Sequence, residues 1–199
     1  MNAPSLVLAS ASPRRRELLD QLGLHYIIVP ADIDETRRDC ESPRDYVQRM
    51  AREKALVVAA RYPGEGRAIL AADTTVQIDG DVLGKPRDHF EGLAMLTRLS
   101  GRSHFVLTAV CLHGPAGISS ELVETRVDFV ELSRATCEAY LATDEPWDKA
   151  GGYAIQGLAG AFVRSIHGSY SNVVGLPLCE TWQLLRANGI GTLLAPESG

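Results

Sequence analysis

Short apolar runs along the chain alternate with segments whose apolar residues recur every three or four positions, the pattern of buried strands interleaved with amphipathic helices. Ser5 to Ala9 predicts a first strand, broken by Ser10-Ala11-Ser12-Pro13. Ser12 suits an N-cap and Pro13 the first helical position, where its missing N–H goes unused, so a helix is expected from Arg14 to Leu22, ended by Gly23. His25 to Val29 predicts a second strand, and the acidic stretch Ala31 to Glu41 a loop. Ser42-Pro43 repeats the cap-plus-proline start, with a long helix to about Arg61. Ala68 to Ile78 predicts a strand that turns at Asp79-Gly80 and returns over Asp81 to Leu83.

Asp88 to Leu99 is amphipathic and stops before Gly101. His104 to Leu112 and Leu122 to Val130 predict a long antiparallel hairpin around a Gly/Pro loop, and Ser133 to Thr143 a serine-capped helix. Gly151 to Gly160 is glycine-rich, Ala161 to Ile166 predicts a strand, and Asn172 to Ala187 a closing helix before a frayed tail, Thr192 to Gly199. Strands and helices alternate without repeats or a clear linker, so the expectation is one α/β domain over residues 1–199 with a mixed sheet.

Composition narrows the function. At 199 residues, 45% hydrophobic, the chain can bury a core without disulfides. A net charge of −5 argues against nonspecific nucleic-acid binding, which needs a large basic surface. Cys40, Cys111, Cys137 and Cys179 form no C-x-x-C pair and are expected as reduced thiols. The N-terminus lacks the pattern of a signal peptide, and no apolar run reaches the roughly 20 residues of a transmembrane helix. A cytoplasmic protein, with no membrane partner, is the expectation.

Of the 20 Lys plus Arg, only Lys54, Lys85 and Lys149 are lysine, which suggests positions that need a compact point charge. Ser10 to Arg15 combines hydroxyls and arginines at a strand-to-helix turn. A helix N-terminus presents unpaired N–H groups, guanidinium adds paired bonds to phosphate oxygens, and cations are otherwise unfavourable there. Successive helical residues lie about 100° apart, so Arg14 and Arg15 are the candidates and Arg16 is left to solvent. Lys54 falls within the apolar stripe Tyr46, Val47, Met50, Val57, Val58, where an ammonium needs an anion or a route to water. Asp73 interrupts the run Ile69 to Ala72; aspartate is depleted in strand interiors, so it suggests a site at a strand end, holding magnesium or orienting water. Lys85, between Gly84 and Pro86, and Gln156, whose amide can read a base edge, are weaker signals taken singly. Lys149 reads as a structural ion pair beside Asp148. No Walker-type phosphate loop, H-E-x-x-H, G-x-S-x-G or Rossmann glycine fingerprint is present.

Taken together, LASASPRRRELL at 8–19, DIDE at 32–35, AREKA at 51–55, ADTTV at 72–76, GKPRD at 84–88, LSGRSH at 99–104, DKAGGYAIQG at 148–157 and NVVGLPLCET at 172–181 resemble, in order, the Maf family of nucleotide pyrophosphatases. The resemblance implies an inosine-triphosphatase-like α/β fold, an elongated mixed sheet with two lobes around a cleft, often as a homodimer. It also implies metal-dependent (Mg²⁺ or Mn²⁺) cleavage of a nucleoside triphosphate to the monophosphate and pyrophosphate. By matched motif, Ser10, Arg14, Arg15, Lys54 and Lys85 would grip the triphosphate. Asp73 would accept the proton of the attacking water, and Glu35 with Asp73 would meet the metal. Thr74 and Gln156 resemble the branch acting on dTTP and UTP, although Gly84 stands where that branch often has glutamate. The alternatives are a 7-methyl-GTP or modified-nucleotide pyrophosphatase of the same family, and a nucleotide-sensing regulator of cell division that needs no turnover.

Overall fold

A computed structural model describes residues 6–63 and 66–194. A seven-stranded mixed sheet carries helices on both faces. The strands are β1 (Leu6–Leu8), β2 (Tyr26–Ile28), β3 (Ala68–Ile78), β4 (Asp81–Leu83), β5 (Ser103–Gly114), β6 (Gly117–Phe129) and β7 (Val163–His167). The helices are α1 (Pro13–Asp20), α2 (Pro43–Ala59), α3 (His89–Leu99), α4 (Arg134–Leu141), α5 (Tyr170–Val174) and α6 (Leu178–Ala187). The sheet order is β2-β1-β3-β5-β6-β7, with β4 also on β3; β2, β1 and β3 run parallel and the other pairs antiparallel.

The register of β3 places the site. β1 pairs with Ala68 to Leu70 and β4 with Val76 to Ile78, both on the edge away from β5, so the stretch between has no ladder partner on that side among the described residues. Alternation along β3 then divides the packing. Ile69 and Ala71 pack under α2, while Ala68, Leu70 and Ala72 face the cluster of α1 and α6. Val76 and Ile78 join a third cluster with α3 and α4. Asp73 and Thr74 stand in the gap, the first buried and the second partly so. The aspartate is therefore mid-strand, paired in register with Ala109 of β5. It is the neighbouring strands that end there, which corrects the expectation of a strand end.

Three further expectations change. The hairpin strands run to Gly114 and from Gly117, leaving a two-residue turn where a longer loop is expected, because Leu112, His113 and Gly114 continue the pairing with Ser119, Ile118 and Gly117. The closing helix is two helices, interrupted at Gly175 (φ 126°) and Pro177, neither of which continues an α-helix. Thr192 is buried and the Leu193 N–H donates to the Leu22 carbonyl at 3.2 Å, so the tail is docked at its start; residues 195–199, like Ser5, lie outside the described residues. No helix among the described residues is long and apolar enough to cross a membrane.

His104, on β5, is fully buried beneath Phe129 and Tyr153, with Nε2 at 2.8 Å from the Tyr153 hydroxyl and, among the described residues, no partner on Nδ1. Burial pushes its imidazole down to about 4. The unfolded chain therefore binds the proton first as pH falls, and folding stability declines across the window from about 6.5 to 4. About 3 kcal/mol of acid-induced loss is expected from this group, at 1.36 kcal/mol per unit. Urea unfolding of the wild type and His104→Leu at pH 7 and pH 4.5 checks it: the variant should lose less stability between the two pH values.

Candidate active site

The gap in the sheet opens into a cavity of about 510 Å³. Every residue singled out from the sequence lines it: Ser10, Arg14, Arg15, Glu35, Lys54, Asp73, Thr74, Lys85 and Gln156. They come from six separate stretches of chain.

Lys54 reaches the gap from α2, within the stripe formed by Val47, Met50, Ala51, Ala55 and Val58. Its Nζ lies 2.7 Å from Asp73 Oδ1 and 2.6 Å from Glu35 Oε1. The ammonium is thus the meeting point of the two acids. Lys54 and Asp73 are each 8% exposed, so the pair is desolvated and its charges cannot be satisfied by bulk water. Burial raises the Asp73 carboxyl above its ordinary range, even though Lys54 and Arg15 favour its ionised form. Glu35 moves the other way: half-burial opposes ionisation, but the hydrogen bond and charge of Lys54, with Lys85 and Arg15 beyond, hold it below its usual value. The two carboxyls share one cation and differ in direction because one is buried deeper.

Arg15 enters from the opposite face. Its Nε donates to the Gly175 carbonyl at 2.8 Å, Nη1 to Ser10 Oγ at 3.3 Å and Nη2 to Thr74 Oγ1 at 3.1 Å. Three neutral acceptors hold the guanidinium without cancelling its charge. Burial lowers its pKa from the usual arginine value, with Asp73 opposing the shift. Thr74 Oγ1 also lies 2.9 Å from Thr108 Oγ1, so its hydroxyl is committed to fixing Arg15. Arg14, at the rim, pairs with Asp148 at 3.1 Å. Lys149 Nζ ion-pairs with the same Asp148 and donates to the Glu145 carbonyl at 2.6 Å, the structural role expected of it. Lys85 is exposed and makes no hydrogen bond or ion pair among the described residues.

Ser12 occupies the N-cap of α1, but its side chain makes no capping bond, and the first turn contains no acid. Ser10 Oγ instead accepts the Ser12 N–H at 3.2 Å. The start of α1 therefore keeps its partial positive charge towards the cavity. Arg16 departs from expectation: it is half-buried, with Nε enclosed and unpartnered among the described residues, because α1 turns it towards the protein and away from the cavity.

Two cavity residues carry no sequence signal of their own. Tyr46 hides in the apolar stripe of α2, yet its hydroxyl donates to the Glu35 carbonyl at 3.0 Å and ties the acidic loop to the site. Burial and the nearby Asp73 and Glu35 push it up to about 12. Gly175 contributes a backbone carbonyl, which no side-chain pattern reveals; only its interruption of the closing helix hints at it.

A cavity with arginines, lysines and a helix start around one buried acid is built for a polyanion beside a proton acceptor. The family model of Maf-like proteins matches residues 5–188. The chain belongs to the Maf family. Its relatives include a dTTP/UTP pyrophosphatase of Methylobacillus flagellatus, 50% identical over 96% of both chains. Others so named come from Anaeromyxobacter dehalogenans, 56% identical over 94% of this chain and 95% of that one, and Myxococcus xanthus, 55% identical over 96% of both. Among solved structures, a nucleoside-triphosphatase / dITP/XTP pyrophosphatase of Mycobacterium abscessus aligns over 62% of this chain and 73% of that one, at 19% identity and a TM-score of 0.39. That likeness is too distant to add to the topology of this Maf-like chain.

Proposed function

We propose that this Maf-like protein hydrolyses dTTP and UTP between the α- and β-phosphates, releasing the nucleoside monophosphate and pyrophosphate. The observation that carries the reading is the buried Asp73 carboxylate, held on Lys54 within a cavity whose other charged groups are largely cationic. Relatives at 50–56% identity named for this activity support it.

Water attacks the α-phosphorus in line, and Asp73 takes its proton. Arg14, Arg15, Lys54 and Lys85 neutralise the charge that accumulates on the departing pyrophosphate. Since these groups are already placed, most of the acceleration comes from positioning and electrostatics. The donor set also suits a divalent cation. Magnesium is commonly held by one or two carboxylates together with substrate phosphates, and Glu35 and Asp73 are such a pair, already converging on one cation. Bound there, Mg²⁺ or Mn²⁺ would supply charge neutralisation on the phosphate oxygens. Gln156, exposed on the cavity wall, offers an amide donor and acceptor to a pyrimidine edge.

A panel of dTTP, UTP, CTP and 7-methyl-GTP with product identification tests the reading. The expected result is pyrophosphate release fastest with dTTP and UTP. A preference for 7-methyl-GTP overturns the branch assignment drawn from Thr74 and Gln156, and nucleotide binding without pyrophosphate release overturns the reaction. The raised Asp73 carboxyl adds a pH prediction. A base works only when ionised, so kcat/KM should fall on acidification with a midpoint above the ordinary aspartate value of about 3.9. A pH–rate profile extended to pH 4 measures that limb.

A further inference from the structure

We propose that Glu145 is a positioning residue for nucleobase selection, fixing the turn that presents Gln156; the proposal rests on the reading of Gln156 as the base-contacting side chain. Residues 154–157 form a tight turn, closed by the Gly157 N–H on the Ala154 carbonyl at 3.1 Å, and a second turn closes from Gly160 to Gly157 at 3.0 Å. Gln156, Gly157 and Leu158 are all exposed between the packed Ile155 and the buried Ala159, so the tip of the turn places no side chain in the core. Its anchor comes from the segment after α4.

Glu145 Oε2 accepts the Leu158 N–H at 2.9 Å, and Oε1 accepts the Ala159 N–H at 3.2 Å and the Tyr140 hydroxyl at 2.9 Å. The Tyr140 hydroxyl in turn accepts the Ala154 N–H at 3.3 Å. Both ends of the stretch from Ala154 to Ala159 are thereby tied to one carboxylate–phenol pair. The approach leaves no room at Gly157, where a Cβ would lie 2.2 Å from Glu145 Oε2. Partial burial opposes ionisation of Glu145, but the bonds from Leu158, Tyr140 and Ala159 outweigh it and hold the carboxyl below its usual value. It is therefore a charged acceptor throughout the neutral range. Among the described residues its carboxylate makes no ion pair: the Lys149 ammonium goes to the Glu145 backbone carbonyl and to Asp148, which also holds Arg14. The phosphate-facing rim is thus tied to the backbone carbonyl of Glu145, and the carboxylate serves the base-facing turn.

Small displacements of a positioning group cost large factors in rate, of order a hundredfold for about 1 Å. Glu145→Gln exchanges one of the two acceptor oxygens for an amide nitrogen that cannot accept from the turn, and should loosen Gln156 without touching the phosphate groups. The expected result is about a tenfold fall in the kcat/KM ratio of UTP over 7-methyl-GTP, carried by a raised KM for UTP at nearly constant kcat. A merely structural role would lower both substrates together and leave the ratio unchanged. Gln156→Ala, alone and combined with Glu145→Gln, separates the two readings. If Glu145 acts through Gln156, Gln156→Ala collapses the ratio and the double variant loses nothing further. If Gln156→Ala leaves the ratio intact, the base reading fails and takes this proposal with it. If Gln156→Ala collapses it while Glu145→Gln does not, the proposal alone is overturned. Should Glu145→Gln fail to fold, Tyr140→Phe removes the phenol's ties to Glu145 and Ala154 and is read by the same ratio and the same outcomes.

Discussion

Asp73→Asn should lower kcat by on the order of a thousandfold while leaving the protein at least as stable at pH 7. The two halves of this expectation have one cause. Asp73 is the buried carboxylate nearest the cationic groups of the cavity, and asparagine keeps its size while removing its basicity. Its raised carboxyl pKa means that the ionised form is disfavoured by folding. The sign is opposite to that of an ordinary salt-bridged aspartate: the contribution to stability is unfavourable above the folded pKa and vanishes below the unfolded one. Removing the charge therefore costs no stability at neutral pH, and Lys54 keeps Glu35 as its partner at 2.6 Å. Steady-state kinetics with dTTP and thermal unfolding of the same preparation check both halves. A variant that is inactive but also much less stable would point to a structural role instead.

Lys54→Met should be the more damaging change to stability, and it should impair turnover as well. Methionine fits the apolar stripe of α2, so packing is nearly conserved, but Asp73 and Glu35 lose the ammonium on which both converge. Breaking a buried pair by deleting one partner costs about 3–5 kcal/mol, because the remaining charge stays buried. Turnover should fall by on the order of a hundred- to a thousandfold, as for other groups that stabilise charge in the transition state. The pH dependence identifies the cause. Without Lys54 both carboxyls are pushed upward in the folded state, so the stability deficit is largest at neutral pH and shrinks as acid protonates them. Chemical denaturation at pH 7 and pH 5 measures this. A deficit equal at both would assign the loss to packing.

Much of this site was legible in the sequence because its residues break local rules. Lysine in an apolar helical stripe, aspartate within an apolar strand and arginines at a helix start are each unfavourable alone, and each turns out to face the same cavity. Element types followed from periodicity, and Asp88, Ser42 and Ser133 cap their helices with side-chain bonds to Glu91, Asp45 and Thr136. What was hidden is of a different kind. The gap in the sheet exists because β1 and β4 are both short and pair with opposite ends of β3; the β4 return was legible at its Asp79-Gly80 turn, but the pairing of β1 with the distant start of β3 leaves no mark on either segment. The sharing of Lys54 by two acids, the Gly175 carbonyl behind Arg15 and the tie from Tyr46 to Glu35 are likewise tertiary facts. Tyr46 in particular reads as core, since one polar atom on a large apolar ring does not disturb the helical pattern.

The bond cleaved is tested most directly by hydrolysing UTP in water enriched in oxygen-18 and weighing both products by mass spectrometry. Attack on the α-phosphorus beside Asp73 places one heavy oxygen in UMP and none in pyrophosphate. Label in pyrophosphate, or release of UDP and orthophosphate, would contradict the arrangement of acid and cations described for this cavity.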